Sequence, residues 1–408
     1  MVANDAAEPS GTQSALRRSN ERAVLDLLGQ TGPVSQAALA KGTGLSRSAV
    51  NAIVHSLEDQ KLVTVRPATS GRETVVAAAN PRGALIAIDM GHQRLHGSVI
   101  SFDTQARFDE VVDIGREHEA SADVETVAAL VERLLERSGI ARSEVYRVCV
   151  GLHAPYESLT RTISPSGILA GWEDLDVESA LERRLSLPVT ADNDANFAAL
   201  AEWTWGAGRG TQDFLYLKSS NGIGSGIVIN GQIYRGANGM AGELGHVVVD
   251  PRGPLCNCGN RGCLSAVASG RALLLELAAA GAPRESLRHV IADAKAGDLA
   301  CRRILEEAGR NIGIGLAHAV KLIAPAKIAF GGELAVAGPL IFDSVRAELE
   351  LNSLRTISGM PALEQGMRRA DMCILGCAAF ALAETGLGLS ELPTWILTPS
   401  GQVIKEPS

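Results

Sequence analysis

A cluster of three cysteines within eight residues is the feature that most constrains how this chain can fold. Cys256, Cys258 and Cys263 follow His246 in the pattern H-x9-C-x-C-G-x-x-G-C. Three thiolates and one imidazole form a complete tetrahedral ligand set for Zn²⁺, and the two glycines permit the sharp turns that bring the sulfurs together. Because a closed four-ligand site leaves no position for an activated water, we expect structural zinc. The alternative is a chance proximity of three cysteines.

The overall use of cysteine indicates a reducing compartment. The chain has seven cysteines, and the four outside the cluster lie in apolar stretches typical of a protein core. An odd total with one tight cluster favours metal binding over a disulfide framework. The N-terminus has no signal-peptide pattern, and no run approaches the ~18 apolar residues of a membrane span. We therefore expect a cytoplasmic protein with no membrane partner.

Length and charge indicate a small basic head on a larger acidic body. At 408 residues the chain is longer than one typical domain, and apolar residues make up 46% of it, enough to bury more than one core. Residues 11–72 contain eight Lys/Arg and four Asp/Glu, although the whole chain carries a net charge of −8. Such an asymmetry is typical of a nucleic-acid-binding module joined to another domain, although small imbalances are also common.

Hydrophobic periodicity predicts the order of the structural elements. Residues 1–15 are small and polar, which predicts a disordered leader. Residues 16–65 have helical periodicity, and residues 66–80 suit a β-hairpin with a turn at Ser70-Gly71. From Ala84 onward strands and helices alternate, which predicts an α/β fold. The tail beyond Gly386 is expected to lack regular structure. Helices in the body are expected near 123–137, 176–185, 264–280, 298–323 and 371–385.

Two short helices around a glycine turn predict a helix-turn-helix in the head. Ser35 is placed to cap a helix over Gln36–Lys41, and Ser46 to cap the next one, with Gly44 in the turn between them. In the last helix the apolar residues recur with helical spacing and are expected to face the core. They are Val50, Ile53, Val54 and Leu57.

The opposite face of that helix suits the major groove of DNA. Arginine can read guanine bidentately, asparagine can read adenine, and the start of a helix favours phosphate. Two arginines of the hairpin, Arg66 and Arg72, suit a wing that enters an A·T-rich minor groove. The alternative is a three-helix bundle that binds protein. The expected DNA contacts of the helix are Arg47, Ser48, Asn51 and His55.

Three stretches of the body resemble the ROK family of repressors, open reading frames and kinases. Within Leu187–Gly270 they read LPVTADNDANFAALAEWTWGAG, NGIGSGIVINGQIYRGANGMAGELGHVVVD and CNCGNRGCLSAVASG. Head and body together resemble the repressor branch, of the type that answers to xylose or N-acetylglucosamine. The resemblance covers about residues 17–385. It implies an actin-like, ribonuclease-H-like sugar-kinase fold, in which two α/β lobes enclose a cleft.

The expected architecture is therefore a winged helix-turn-helix followed by two lobes. The expected domains are a leader at 1–15, the head at 16–80, a first lobe at 81–192 with 371–386, a second lobe at 193–370 and a tail at 387–408.

The resemblance also implies partners for each part. The head would bind double-stranded operator DNA as a homodimer or homotetramer. The cleft would bind a sugar or sugar derivative through directed hydrogen bonds, with zinc bracing the site. The residues implied for the sugar are Asn193, Asp194, Gly239, Glu243 and His246.

Three positions depart from the pattern of the family's kinases. Their first phosphate loop reads D-x-G-G-T, but here Asp89-Met90-Gly91 is followed by His92-Gln93, which loses a glycine and a hydroxyl suited to phosphate. Ser265 stands where the family has a glutamate, two residues after the last cysteine. If that glutamate bound the sugar, its replacement lowers the binding free energy by about 1.5–3 kcal/mol. Pro155-Tyr156 stands where the family has a Pro-Gly pair, and the tyrosine ring either narrows the cleft or packs in the core. The glycines of the second phosphate loop, Gly222, Gly224 and Gly226, and the pair Gly331-Gly332 are retained.

Three functional hypotheses follow, of which the third is a variant of the first. The leading one is a DNA-binding regulator of carbohydrate genes, of repressor type, without kinase activity. The alternative is a zinc-containing sugar kinase in which Asp194 acts as general base and ATP is the phosphoryl donor. The third is a regulator that has lost its ligand, which the replacement at Ser265 leaves open.

Overall fold

The computed structural model describes most of the chain from residue 20 onward. The predicted leader and the Ser70-Gly71 turn lie outside the described residues. The chain forms two compact units, Met1–Gly83 with Ala379–Pro393 and Ala84–Ala378 with Thr394–Ser408. The finer boundaries between leader, lobes and tail stay a prediction. The described residues are 20–21, 23–25, 27–28, 33–59, 62–67, 74–78, 82–115, 119–164, 169, 171–173, 175–354, 359–384, 392–400 and 404–405.

The head contains the predicted helix-turn-helix. Its two helices are α1, Gln36–Thr43, and α2, Arg47–Asp59. Ser35 caps α1, because its hydroxyl accepts a hydrogen bond from the backbone N–H of Ala38 at 3.3 Å. Gly44 ends α1 with a φ of 71°, a left-handed conformation that glycine adopts without steric strain. The caps and the turn read from the sequence are confirmed.

A small sheet completes the winged-helix head. Its strands are β1 (Val34–Ser35), β2 (Val63–Pro67) and β3 (Thr74–Ala78), in the order β1-β3-β2. Strands β2 and β3 pair antiparallel, which confirms the predicted hairpin. One core joins the helices to this sheet, since apolar residues from each pack together, among them Val24, Leu39, Val54, Leu57 and Val76.

The first lobe of the body is built on a twisted mixed sheet. Strands β4, Ala84–Met90, β5, Arg94–Ser101, and β6, Ala106–Asp113, form an antiparallel meander. Strands β7, Val145–Leu152, and β10, Val189–Asn193, extend it in parallel beyond β4. The two-stranded pair β8 (Tyr156–Glu157) and β9 (Thr162–Ile163) and the helices α3 (Ala120–Ser138) and α4 (Val177–Leu185) complete the lobe.

The second lobe repeats this arrangement. Its sheet has the order β13-β12-β11-β14-β15, with β11 and β12 antiparallel and β11, β14 and β15 parallel. Its elements are α5 (Asp194–Trp205), β11 (Phe214–Ser219), β12 (Ile223–Ile229), β13 (Gln232–Ile233), α6 (Leu264–Ala268), α7 (Gly270–Ala279), α8 (Leu287–Ala296), α9 (Leu299–Ile323), β14 (Lys327–Gly331), α10 (Pro339–Asn352) and β15 (Ala362–Gln365). Helix α11, Met372–Glu384, follows these elements in the chain.

Both sheets therefore share one strand order. When the first five strands of each sheet are numbered along the chain, they lie across the sheet in the order third, second, first, fourth and fifth. The parallel strands of each lobe end at a common edge, which is where ligands bind in open α/β sheets. This topology confirms the predicted two-lobed α/β fold. The helix predicted over 264–280 is interrupted at Ser269, whose hydroxyl caps α7 by accepting a hydrogen bond from the Ala272 N–H at 3.3 Å.

The prediction of an irregular tail is wrong in part. Residues Thr394–Leu397 form a 3₁₀ turn, and strand β16, Ile404–Lys405, pairs parallel to β6 at the edge of the first sheet. Arg107 on β6 explains why this segment is ordered. Its guanidinium donates to the carbonyl of Ile396 at 2.9 Å.

Arg107 is the centre of a buried ion-pair network. Its side chain is fully buried, and it contacts Asp109 and, at 2.8 Å, the carboxylate of Asp371 just before α11. His96 contributes a further contact to Asp109 at 3.0 Å. Each charge is matched by a partner, as burial of ionised groups requires. The network ties the meander, α11 and the tail into one structure.

We expect the substitution Arg107→Met to destabilise the body. It leaves two buried carboxylates without their shared cation, which lowers the free energy of unfolding by about 3–5 kcal/mol. Denaturant unfolding followed by circular dichroism measures this change. Arg346→Met is the matched control, because Arg346 pairs with Asp343 at 3.7 Å on the surface, and such pairs contribute little. Equal effects of the two substitutions would contradict the assignment.

The same network predicts a pH dependence. Burial raises the pKa of Asp109, but the hydrogen bonds from His96 and Arg107 outweigh this and lower it to about 2. The stabilisation from this carboxylate is therefore present at neutral pH and is lost as the pH falls from about 4 toward 2. The stability gap between the native chain and Arg107→Met should narrow over that range.

Candidate functional site

The face of α2 that points away from the core carries the predicted DNA contacts. Ser46 caps the helix, since its hydroxyl accepts a hydrogen bond from the Ala49 N–H at 3.2 Å. The apolar stripe is buried, with Val50 and Val54 fully so. All four side chains expected on the other face are exposed to solvent: Arg47, Ser48, Asn51 and His55.

The hairpin contains one described arginine of the predicted DNA contacts. Arg66 is exposed on β2, where it pairs in register with Val75 of β3. Arg72 lies outside the described residues.

The four predicted metal ligands converge in the second lobe. The ligand atoms of His246, Cys256, Cys258 and Cys263 all lie within 4.8 Å of one another. Nδ1 of His246 is 3.5 Å from the sulfur of Cys256, and the sulfurs of Cys258 and Cys263 are 3.6 Å apart. Three soft sulfurs and one imidazole nitrogen around a common centre suit a tetrahedral metal ion. The cluster can therefore hold a metal.

Local backbone geometry explains how the cysteines meet. Gly262 has a φ of 68°, and a Cβ at this position would lie 1.5 Å from the carbonyl oxygen of Asp250. The N–H of Cys256 donates to the carbonyl of Asn260 at 2.7 Å, which closes the turn between the ligands. The glycine is thus required by the close approach of two chain segments.

Asp194 has the most direct charged contacts among the predicted sugar-binding residues. It is buried at the first position of α5. One carboxylate oxygen, Oδ2, accepts a hydrogen bond from Nδ1 of His153 at 2.9 Å and also pairs with the ammonium of Lys218. Burial raises the pKa of Asp194, but Lys218 and His153 outweigh this and hold the pKa well below its usual range.

The sequence reasoning missed both of these partners. Lys218 is the only charged residue in the strand sequence Phe-Leu-Tyr-Leu-Lys-Ser, and His153 directly follows the apolar strand β7. A lone charge in a buried strand and a histidine at the end of a parallel strand were signals available in the sequence. Their partner, however, lies 24 and 41 residues away.

Glu243 and His246 connect the cleft to the metal cluster. Burial raises the pKa of Glu243 to about 7, and the nearby charge of Asp194 adds to this effect. Nε2 of His246 lies 4.0 Å from Oε2 of Glu243, while Nδ1 of the same ring faces Cys256. One imidazole thus contacts both groups.

Asn193 and Gly239 shape the cleft through the backbone. The Asn193 side chain accepts a hydrogen bond from the Ala195 N–H at 2.8 Å and donates to the Ala154 carbonyl at 3.0 Å. Gly239 has a φ of 101°, and a Cβ there would lie 2.7 Å from the carbonyl oxygen of Tyr156. Gly239 thus allows a segment of the second lobe to approach strand β8 of the first lobe closely.

Tyr156 packs in the core of the first lobe rather than lining the cleft. It is 3% exposed, and its hydroxyl donates a hydrogen bond to Glu178 on α4 at 3.2 Å. These contacts support packing of the tyrosine ring in the core rather than narrowing of the cleft.

The glycine-rich segments have structural roles. A Cβ at Gly226 would lie 2.4 Å from the Cβ of Ala199, so the glycine allows β12 to pack directly on α5. A Cβ at Gly332 would lie 2.3 Å from the carbonyl oxygen of Ser219. In the first loop the Gly91 N–H donates to the Arg94 carbonyl at 3.0 Å, which forms a tight turn between β4 and β5.

Ser265 uses its hydroxyl within the protein. It donates a hydrogen bond to the carbonyl of Ile223 at 3.3 Å. A Cβ at Gly245 would lie 2.5 Å from the same hydroxyl oxygen, so the surroundings are closely packed.

Among the described residues, no helix combines the length and the apolar character that crossing a membrane would need.

Both the head and the body of the chain are similar to known proteins. It is 27% identical over 345 residues to the xylose repressor of Bacillus subtilis (strain 168), a match that covers 83% of this chain and 88% of the relative. The crystal structure of a ROK hexokinase from Thermus thermophilus matches with 31% identity and a TM-score of 0.61, over 75% of this chain and 100% of the hexokinase.

A ROK family transcriptional regulator, a homologue of the E. coli MLC protein, shares the fold at 23% identity with a TM-score of 0.77. This match covers 94% of this chain and 100% of the regulator. The model of the MarR family matches residues 18–73, and that of the ROK family matches residues 85–384. This chain belongs to the ROK family and carries a MarR-type helix-turn-helix at its N-terminus.

Proposed function

We propose that this chain is a transcriptional repressor that binds operator DNA through its head and answers to a sugar bound in its body. The observation that carries the proposal is the exposed polar face of α2, in which Arg47, Ser48 and Asn51 follow the helix cap while the opposite face is buried. The similarity to a xylose repressor supports it, because that match extends over 83% of the chain.

The head reads DNA with α2 in the major groove. Arg47 and Asn51 contact base edges, and Ser48 and the capped helix start contact phosphate. His55 extends the same face by a further turn. Arg66 and Arg72 act from the wing, where arginine suits a narrow minor groove. Two heads of a homodimer, or of a homotetramer built from such dimers, then bind two half-sites of operator DNA.

The cleft of the body binds the effector. Asp194, Glu243 and His246 supply charged or polar atoms for sugar hydroxyls, while Asn193 and Gly239 fix the surrounding backbone. Ser265 offers a neutral hydroxyl where a glutamate would offer a charged acceptor. A sugar alters DNA affinity to the extent that it binds one arrangement of the two lobes better than another.

The metal cluster holds structural Zn²⁺. His246 and the three cysteines Cys256, Cys258 and Cys263 are the ligands, and four protein donors complete the coordination of this ion. Zinc stabilises the turn between the cysteines and fixes the ring of His246. The free edge of that ring then points to Glu243, so the ion orients one wall of the sugar site.

Kinase activity is the second candidate, favoured by the 31% identity to a ROK hexokinase and by the presence of Asp194. Two observations oppose it. The loop after Asp89 carries His92 and Gln93 in place of glycine and threonine, and Asp194 is paired with Lys218. A carboxylate with a strongly lowered pKa is a weak general base.

Arg47→Ala and Asn51→Ala should each weaken binding to DNA from upstream of this chain's own gene. The loss of a bidentate base contact corresponds to about 1–3 kcal/mol. An electrophoretic shift at fixed salt concentration measures the affinity. Arg288→Ala is the control, because this arginine is 87% exposed in the body. If both head variants bind as tightly as the native chain, the assignment of α2 to DNA fails.

A sugar should stabilise the purified protein without being phosphorylated. We expect one member of a panel of pentoses, hexoses and N-acetylhexosamines to raise the melting temperature, because ligand binding favours the native state. With ATP present, ADP release should not exceed that of the Asp194→Ala variant. ADP release well above this variant would establish the kinase instead.

The native chain should contain one zinc ion, and Cys258→Ser should lose it, because a tetrahedral site loses a thiolate ligand. Elemental analysis after exhaustive dialysis measures the ratio of zinc to protein. Cys301→Ser is the control, since Cys301 is a fully buried cysteine of α9 outside the cluster. Retention of the ion in Cys258→Ser would contradict the ligand set.

A further inference from the structure

A lysine lies at the junction of the two lobes, where the proposed effector binds. Lys218 belongs to β11, and every other side chain of that strand is buried. Its ammonium pairs with Oδ2 of Asp194, and the side chains of Lys218 and Asp194 are 20% and 6% exposed. Because the pair is largely withdrawn from water, the attraction between the two charges is weakly screened.

His153 binds the same oxygen from the other lobe. It directly follows β7, and its Nδ1 lies 2.9 Å from Oδ2 of Asp194. The described contacts of this carboxylate therefore converge on Oδ2. Within the described part of the chain, Oδ1 is the oxygen that stays available to accept a hydrogen bond from a ligand.

The charges around the pair come from three further elements. Asp89 on β4 stabilises the ammonium of Lys218, and Glu243 lies close enough to Asp194 for the two carboxyl groups to repel. Cys373 on α11 and Tyr216 on β11 are further titratable neighbours. Asp194 and Asp89 thus face the ammonium while Glu243 faces Asp194, an arrangement that admits an uncharged hydroxyl and repels an anionic group.

The pairing also determines what Asp194 can do chemically. A general base works best when its pKa is near the operating pH. Although burial raises the pKa of Asp194, Lys218 and His153 hold it far below that range. The carboxylate keeps its capacity to accept a hydrogen bond but loses the tendency to take up a proton.

We propose that Lys218 is a built-in counter-cation that keeps Asp194 ionised and orients Oδ1 to accept a hydrogen bond from an uncharged sugar hydroxyl, while it removes the carboxylate's use as a base. Lys218 is a positioning residue that acts through Asp194. This inference rests on the proposed sugar site and assigns to it a neutral polyol.

The first test compares the native chain with Lys218→Met as zinc-loaded full-length protein. Calorimetric titration with D-xylose, D-glucose and N-acetyl-D-glucosamine at pH 8 and pH 5.5 gives the affinities. Without the ammonium, burial raises the pKa of Asp194, so the carboxylate becomes protonated at the lower pH. We expect the variant's affinity deficit to be about tenfold larger at pH 5.5 than at pH 8.

Two further variants separate positioning from simple packing. Lys218→Arg keeps the positive charge and should restore the native pH profile. In an Asp194→Asn background, Lys218→Met should change sugar affinity by less than about twofold, because the group through which the lysine acts is gone. A deficit that is equal at both pH values, or unchanged in the Asn background, overturns the proposal.

A sugar-free measurement keeps this inference distinct from the proposed function. The difference in melting temperature between the native chain and Lys218→Met should be large at pH 8, where the variant contains a buried carboxylate that has lost the lysine ammonium, and should narrow at pH 5.5 as that group is protonated. If no sugar binds but the gap narrows, the sugar site is wrong and the counter-cation stands. A gap that is independent of pH overturns the role of Lys218.

Discussion

The carboxylate of Asp194 is the group at which contacts from both lobes of the body meet. Two sheets with the same strand order bring their parallel strands to edges that face one cleft, and α5 begins where they meet. His153 reaches the carboxylate from the first lobe and Lys218 from the second. Contacts to one carboxylate therefore join groups of both lobes that are far apart in the chain.

In the proposed function, a metal ion bound at the cluster would make one wall of the sugar site rigid. His246 belongs to both, because one ring nitrogen faces Cys256 while the other faces Glu243. The paired Asp194 and the rigid wall together describe a site built to hold a molecule in place. A transferring phosphoryl group, by contrast, needs a cradle of backbone amides.

Features that depend on local sequence were predictable, and features that depend on distant partners were not. Ser35, Gly44 and Ser46 define helix ends through contacts within three residues. The group of residues that could hold a metal ion was also predictable, because its three cysteines lie within eight residues. The role of Lys218, by contrast, depends on its contact with Asp194, which forms only when the chain folds.

Arg107 is the clearest case of this limit. A lone arginine in a strand reads as a solvent-facing residue, yet it is fully buried because Asp109, Asp371 and a carbonyl of the tail surround it. The order of the tail follows from this contact rather than from its own proline-containing sequence. No periodicity argument detects an interaction across 289 residues.

The pairing of β16 with β6 has a consequence for how the protein is made. The outer edge of β6 receives this partner only after Ile404 and Lys405, far later in the chain than Glu110 and Val111, have been synthesised. Until then this strand presents unpaired backbone groups to other nascent chains, and such exposed edges favour aggregation. Truncation before Ile404 would therefore leave the outer edge of β6 without this partner and open to pairing with other chains.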